Sequence, residues 1–256
     1  MYQQQQVLSK AIDLTRNPKV QISSGIVLAL KSLGYLNAWY TKRKINNHVI
    51  DPSWDWSREI VVITGGSSGI GAAIVSRFAE KGIKVLILDQ NPPATSLAPN
   101  TYFYKVDLTE SGGISSVTDQ IREDHGNPTV LINNAGFAEI TSILESSESY
   151  LRKLFDVNLL APYLLTKQFL LSMIKRDHGH IVNIASQASF ATQATNVAYG
   201  STKVGLLAYH EGLGQELRYI YKAPRVRTRT AMTAEIVAKG KLKDTVTPPE
   251  VVADRV

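Results

Sequence analysis

A tyrosine and a lysine stand four positions apart in AYGSTK, residues 198–203. On a helix this spacing places Tyr199 and Lys203 on one face, and a phenol beside an ammonium is suited to proton transfer. The spacing alone identifies no site, because Tyr40 and Lys44 repeat it in YTKRK. The surroundings of each pair must decide which of them does chemistry.

A glycine-rich stretch, TGGSSGIG at 64–71, lies between an apolar run at 59–64 and a helical pattern at 72–82. Glycine allows a tight turn, a close approach of backbone to phosphate, and close packing of helix on sheet. The helix N-terminus adds free N–H groups and partial positive charge. This order of elements predicts a dinucleotide-binding loop. Its predicted phosphate-binding residues are Gly65, Ser67, Ser68, Gly69, Ile70 and Gly71.

Asp89 ends the second apolar run, KVLILD at 84–89, at the distance from the loop expected for a ribose-binding carboxylate. A carboxylate there accepts hydrogen bonds from both ribose hydroxyls and repels a 2′-phosphate. No arginine or lysine stands at 66–68 or at 90–91 to bind that phosphate. The sequence therefore favours NAD, with NADP as the other possible cofactor.

Short apolar runs alternate with helical patterns along the middle of the chain. Continuous apolar strands between helices indicate a parallel sheet covered on both faces, so the predicted fold class is α/β with a doubly wound parallel sheet. The further strands are predicted at 101–108, 129–134 and 180–186, and the further helices end near 124, span about 147–175, and run from 199 to about 221.

Composition narrows the function classes. The chain has no cysteine, which excludes disulfides and thiolate chemistry, and its five histidines lack metal-binding spacing, so we predict no metal site. The net charge of +6 is unevenly placed: it is +5 over 1–58, −3 over 59–221 and +4 over 222–256. Because the predicted folded centre is slightly acidic, we expect no nucleic-acid partner.

The N-terminal region has its own pattern. Apolar residues at 22, 26, 30, 33 and 36 recur at helical spacing, and aromatic and basic residues follow at 39–44. Lys31 interrupts the stretch, so three interpretations stay open: a helix on an organelle or lipid-droplet surface, a helix packed on the protein, or a spanning helix. DPSWDW, 51–56, is typical of a linker. We therefore predict an extension at 1–56 and a dinucleotide-binding domain at 57–256.

Several features then follow one another in a fixed order. They are the TGxxxGxG loop, NNAG at 133–136, Asn158 in the long helix, Ser186 after the fifth strand, and Tyr199 with Lys203 on the next helix. Over about 57–222 the chain resembles the single-domain branch of the short-chain dehydrogenase/reductase family. Asp89, the apolar N-terminal segment and DPSWDWS are most similar to the retinol dehydrogenase and 17β-hydroxysteroid dehydrogenase XI-like group.

The resemblance implies a Rossmann fold and an oxidoreductase. Hydride would pass between NAD(P) and a hydroxyl or carbonyl of a lipophilic small molecule, such as a retinoid- or steroid-like secondary or allylic alcohol. It implies Tyr199 as acid/base, Lys203 on the nicotinamide ribose, Ser186 on the substrate oxygen, and Asn158 in a water relay. It further implies cofactor contacts by Asp107, Asn133, Asn134 and Gly136, and a homodimer or tetramer. Separately, we expect a cytoplasmic location, with attachment to an organelle or lipid-droplet surface through the N-terminal segment. Tyr40 and Lys44 have no such surroundings, and we interpret them as a surface pair.

The chain departs from the family pattern after the Tyr199 helix. Relatives have a sixth strand, a Pro-Gly turn and a seventh strand, whereas here only 226–228 stand in strand position, Pro-Gly is missing, and the sequence stops at Val256. We therefore expect a sheet shortened at its C-terminal edge and an incomplete domain. The alternative function is a nucleotide-binding remnant that catalyses poorly.

Overall fold

The computed structural model describes residues 18–45 and 52–231, and the chain divides into two units, 1–49 and 50–256. The strands are β1 (Ile60–Thr64), β2 (Lys84–Asp89), β3 (Thr101–Lys105), β4 (Val130–Asn133), β5 (Gly179–Ile184) and β6 (Val226–Ala231). The helices are α1 (Pro18–Ile45), α2 (Gly69–Glu80), α3 (Ser111–His125), α4 (Glu148–Phe155), α5 (Ala161–Arg176) and α6 (Val197–Gln215). A π-helical turn, Asp156–Leu160, joins α4 to α5, and a second, Glu216–Ile220, follows α6.

The six strands form one parallel sheet in the order β3-β2-β1-β4-β5-β6. The chain order reverses on either side of β1, so the loops after β1 and β4 leave in opposite directions and open a crevice between them. This is the predicted doubly wound arrangement. It places the carboxyl ends of all the strands, and the residues that follow them, along one edge.

The central strands β1, β2 and β4 are buried on both faces, which explains why they are continuously apolar. One face carries Val62, Leu86 and Leu131, which belong to a core cluster shared with Phe169 of α5. The other face carries Val61 in a second cluster with residues of α2. These two core clusters therefore hold in place the strands β1 and β4, whose following loops border the crevice.

The sixth strand is longer than the 226–228 expected from the sequence. β6 runs from Val226 to Ala231 and pairs in parallel with all of β5, from Gly179 opposite Val226 to Ile184 opposite Ala231. The sequence of β6, VRTRTA, lacks an apolar run, and its pairing with β5 holds it in the strand conformation. A seventh strand would fall within 232–256, which lie outside the described residues.

α1 is a single helix of 28 residues that contains both members of the Tyr40–Lys44 pair. Its apolar side chains are exposed, for example Ile22 by 64%, Leu28 by 65% and Leu33 by 62%. Among the described residues, the helical stretch Glu148–Arg176 is the one long and apolar enough to cross a membrane. Its residues Leu154, Leu165 and Phe169 are buried in the unit 50–256, as in the core helix of a folded domain.

Candidate active site

The glycine-rich loop turns sharply after β1. Gly65 and Gly69 have positive φ values of 65° and 54°, a conformation that glycine adopts without steric cost. Gly71 lies so close to the turn that a Cβ on it would be 2.0 Å from the Gly65 carbonyl oxygen. The predicted loop therefore leaves the N-terminus of α2 open toward the crevice.

The NNAG segment braces this loop from the β4 side. The Asn134 side-chain amide donates to the Thr64 and Gly65 carbonyls at 2.9 and 3.0 Å. In return, the Thr64 hydroxyl accepts from the backbone N–H groups of Asn134 and Ala135 at 3.0 and 2.9 Å. Asn134 thus holds the loop in place as well as lining the crevice.

Asp89 lies at the end of β2, beside the same loop. One carboxylate oxygen accepts from the Ser67 backbone N–H at 3.1 Å and the other from that of Asn91 at 3.2 Å. The Ser67 hydroxyl is buried and has no hydrogen-bond partner among the described atoms. The predicted ribose carboxylate is therefore also a support of the loop.

A cavity of about 490 Å³ opens beside the loop at the carboxyl edge of the sheet. Of the predicted cofactor residues, it is lined by Gly65, Ser68, Gly69, Ile70, Asp89, Asn134 and Gly136. This volume is typical of a small-molecule or cofactor site.

Asp107 and Asn133 are not among the residues that line this cavity. The Asp107 carboxylate accepts from the Thr109 backbone N–H at 2.9 Å and its hydroxyl at 2.7 Å, and these bonds are the main reason why its pKa is lowered. Asn133 is buried and donates to Asn183 on β5 at 2.8 Å. Their side chains support the turns and the sheet around the cavity.

Lys203 is the buried cation of the site. It is 5% exposed, and its ammonium donates to the Ile184 carbonyl at the end of β5 at 2.9 Å. Burial lowers the pKa of Lys203 to about 8, because desolvation disfavours the charged form. The Lys203 Nζ lies 5.7 Å from the centre of the Tyr199 ring, so the two predicted residues meet.

Ser186 lies two residues after Ile184 and starts a 3₁₀ turn, Gln187–Ser189. Its hydroxyl accepts from the Ala188 backbone N–H at 3.2 Å. The buried Ser189 hydroxyl donates to the Lys203 backbone carbonyl at 2.9 Å. The turn that carries Ser186 is thus tied to the helix that carries Tyr199 and Lys203.

Asn158 sits in the π-helical turn between α4 and α5, a feature common at functional sites. Its side chain accepts from the Phe137 backbone N–H at 3.0 Å and donates to the Phe137 carbonyl at 2.9 Å and the Thr202 hydroxyl at 3.3 Å. A Cβ on Gly136 would lie 3.2 Å from Asn158 Oδ1 and 3.6 Å from Lys203 Nζ. Gly136 therefore joins the cavity to the Asn158–Lys203 side of the site.

Comparison with known proteins identifies the family to which the chain belongs. Residues 59–238 match the family model for short chain dehydrogenases. The chain belongs to this family. That membership places it among the oxidoreductases, and it accounts for the glycine loop, the NNAG segment and the Tyr199–Lys203 helix in one fold.

Two curated relatives of this family are similar in sequence. Dehydrogenase RED2 of Cochliobolus heterostrophus is 44% identical over 206 residues, which cover 80% of this chain and 78% of that protein. Human estradiol 17-beta-dehydrogenase 11 is 31% identical over 209 residues, 76% of this chain and 69% of that protein. The expected likeness to the hydroxysteroid dehydrogenase group is confirmed. The chain spans less than two thirds of several other relatives, down to 56% of the rat estradiol enzyme.

Solved structures share the fold. A metagenomic short-chain oxidoreductase in complex with NADP is 28% identical with a TM-score of 0.67, over 78% of this chain and 89% of that one. A 4-hydroxyisoleucine dehydrogenase complexed with NADH is 27% identical with a TM-score of 0.67, over 77% and 88%.

The structure adds supporting residues that the sequence did not predict. Thr202 is fully buried and links Asn158 to the Tyr199 carbonyl, to which its hydroxyl donates at 2.7 Å. Thr64 and Ser189 brace the two ends of the site. Thr202 could have been suspected from its place between Tyr199 and Lys203, whereas the others carry no local signal.

Proposed function

We propose that this protein transfers a hydride reversibly between a nicotinamide dinucleotide and a hydroxyl or carbonyl group of a lipophilic small molecule. One observation carries the proposal. The buried Lys203 ammonium lies near the Tyr199 ring and the glycine of NNAG, at the cleft that the phosphate loop borders. Family membership and the dehydrogenase relatives support it.

The residues present fit a dinucleotide. The loop has two positive-φ glycines, the first residues of α2 line a cavity of about 490 Å³, and a carboxylate stands at the end of β2. Relatives of the same fold hold NADP or NADH. When bound, the nicotinamide ring would accept or supply the hydride.

Tyr199 would exchange the proton of the substrate hydroxyl. A phenol within hydrogen-bond reach of the substrate oxygen can give or take its proton. Lys203 would place its ammonium beside the reacting groups, held in position by the Ile184 carbonyl. Ser186 would orient the substrate oxygen and Lys203 the nicotinamide ribose. Asn158 fixes Phe137 and Thr202 around this pair, and its water relay stays a prediction.

The surface near the catalytic residues supports a lipophilic substrate. Large apolar side chains stand exposed on the two loops after β4 and β5, including Ile140 by 87%, Leu144 by 95% and Phe190 by 66%. The two loops are joined by a hydrogen bond from the Thr141 N–H to the Thr195 carbonyl at 3.1 Å. Exposed apolar side chains on these loops favour the binding of an apolar molecule, because binding removes apolar surface from water.

The test is Tyr199→Phe, with Tyr40→Phe as the matched control, because Tyr40 has the same spacing to a lysine. We expect Tyr199→Phe to abolish oxidation of secondary or allylic alcohols, assayed with a panel of lipid alcohols and NAD. Binding of NADH, measured by fluorescence, should stay within about threefold of the original, since no charge is removed. Tyr40→Phe should keep full activity on a water-soluble alcohol. Turnover by Tyr199→Phe would refute the assignment.

We also propose that NAD is preferred, with NADP as the weaker cofactor. Asp89 would repel a 2′-phosphate, so Asp89→Asn should lower the NAD:NADP ratio of kcat/KM by about tenfold. Asparagine can still accept the Ser67 N–H bond, whereas Asp89→Ala loses it and should also weaken the binding of both cofactors. An unchanged ratio in both variants would contradict the ribose role.

The pairing of β6 along the whole of β5 favours this function over the alternative of a nucleotide-binding remnant that catalyses poorly. We further propose that the protein is cytoplasmic, is attached to an organelle or lipid-droplet surface through α1, and forms a homodimer through α5 and α6. The exposed apolar residues of α1 and a groove between the two long helices support these two contacts.

A further inference from the structure

Lys153 occupies a position that the proposed mechanism has not used. It lies on α4, four residues before Val157, and both residues line the cavity beside the phosphate loop. Their neighbours Leu154 and Asn158 are buried on the adjoining side of the same helical stretch. The register of α4 therefore turns Lys153 toward the cavity, while its side chain stays in contact with solvent.

The charges around the cavity suggest that Lys153 interacts with an anionic ligand. Among the described residues that line it, Lys153 is the only lysine or arginine, and Asp89 is the only carboxylate. A dinucleotide brings two negative charges on its pyrophosphate. The start of α2 offers only partial positive charge, so Lys153 supplies the full cation that this wall presents to the ligand.

The surroundings of Lys153 place it at one end of the cavity. Its Nζ lies 5.7 Å from the centre of the Phe137 ring. The lowered pKa of Asp107 is due first to its Thr109 hydrogen bonds, and the positive charge of Lys153 contributes further. Val106 and Leu108, on either side of Asp107, also line the cavity. This is the end toward β2 and β3, where Asp89 would hold the adenosine ribose.

We propose that Lys153 is a cofactor-binding residue whose ammonium lies against the adenosine half of the dinucleotide. The inference rests on the proposed function, because it presumes that the cavity holds that cofactor. Lys153 attracts the anionic ligand and covers the adenine from the α4 side, where a cation can stack on an aromatic ring. It acts on NAD and NADP alike, in contrast to Asp89.

The experiment compares Lys153→Met with Lys153→Arg and with Arg152→Met. Methionine keeps the apolar stem but removes the charge, and arginine restores it. Arg152 is the matched control, because it is adjacent, exposed and paired with Glu148 at 2.7 Å instead of lining the cavity. Dissociation constants for NADH and ADP-ribose are measured at 50 and 300 mM NaCl, with melting temperatures to confirm folding.

We expect Lys153→Met to weaken both ligands about two- to fivefold at low salt, the range for a solvent-exposed charge. The loss should shrink at high salt, Lys153→Arg should recover most of the affinity, and Arg152→Met should match the unsubstituted chain. ADP-ribose must show the same loss as NADH, since it lacks the nicotinamide. Constants for Lys153→Met within the error of those for Arg152→Met would overturn the inference. An unsubstituted chain that binds neither ligand would instead overturn the proposed function.

Discussion

The most telling single residue is Lys203, because its burial couples the site to pH. Its pKa is about 8 in the folded protein and 10.5 when exposed. Between these values the unfolded chain binds more protons, so the free energy of unfolding rises with pH. Below pH 8 the full cost of burying the charged Lys203 lowers the free energy of unfolding. As the pH rises to 10.5, the loss of this charge raises the free energy of unfolding by about 3 kcal/mol.

Lys203→Met should remove this pH dependence. Urea unfolding at pH 7, 8, 9 and 10, without cofactor, should give a free energy of unfolding that rises more steeply for the original chain than for the variant. The difference between the two curves isolates the lysine, since other titrating groups are common to both. Parallel curves across this range would show that the ammonium is not desolvated in the folded state.

Among the helices, strands and loops, the sequence predicts those that are determined by residues adjacent in the chain. The loop at 64–71 follows from glycine spacing, and β1 to β5 follow from continuous apolar runs, because both properties lie in adjacent residues. β6 was underestimated because it contains arginine and threonine at alternate positions and is held as a strand by β5. Lys153 escaped notice because only the register of α4 shows that it faces a cavity bordered by Asp89, 64 residues earlier.

The helix pair α5 and α6 carries the next prediction. A groove of about 620 Å³ runs between them, with Tyr163, Leu171 and Tyr209 in its lining. Thr166 and Tyr209 are both buried in this groove, where their hydroxyls interact with each other. Leu171 is 60% exposed. A second copy of the chain would cover this apolar surface.

Leu171→Glu should therefore convert a dimer into a monomer, measured by light scattering coupled to size-exclusion chromatography. A buried, unpaired carboxylate at an interface is costly, so the dissociation constant should rise by at least about a hundredfold. Leu97→Glu, a leucine 41% exposed on a surface loop, is the control and should remain dimeric. A monomeric original chain, or a dimeric Leu171→Glu variant, would refute the helix-pair interface.

At the scale of the whole molecule, the basic charge lies at the two ends of the chain, and the middle is slightly acidic. α1 joins an exposed apolar stretch to a basic cluster, Lys42, Arg43 and Lys44. That combination favours a membrane surface rich in anionic lipid over nucleic acid, because apolar residues enter the acyl boundary while cations bind the headgroups.

The full chain should therefore float with vesicles in a density gradient, more strongly when phosphatidylserine is added to phosphatidylcholine. Replacing Ile26 and Leu30 together by Asp should leave the protein in the bottom fraction, because each change removes about 2 kcal/mol of apolar transfer and adds a charge. Leu97→Asp tests whether a charge elsewhere has the same effect, and it should float normally. If the full chain stays at the bottom with both lipids, α1 does not attach this enzyme to membranes.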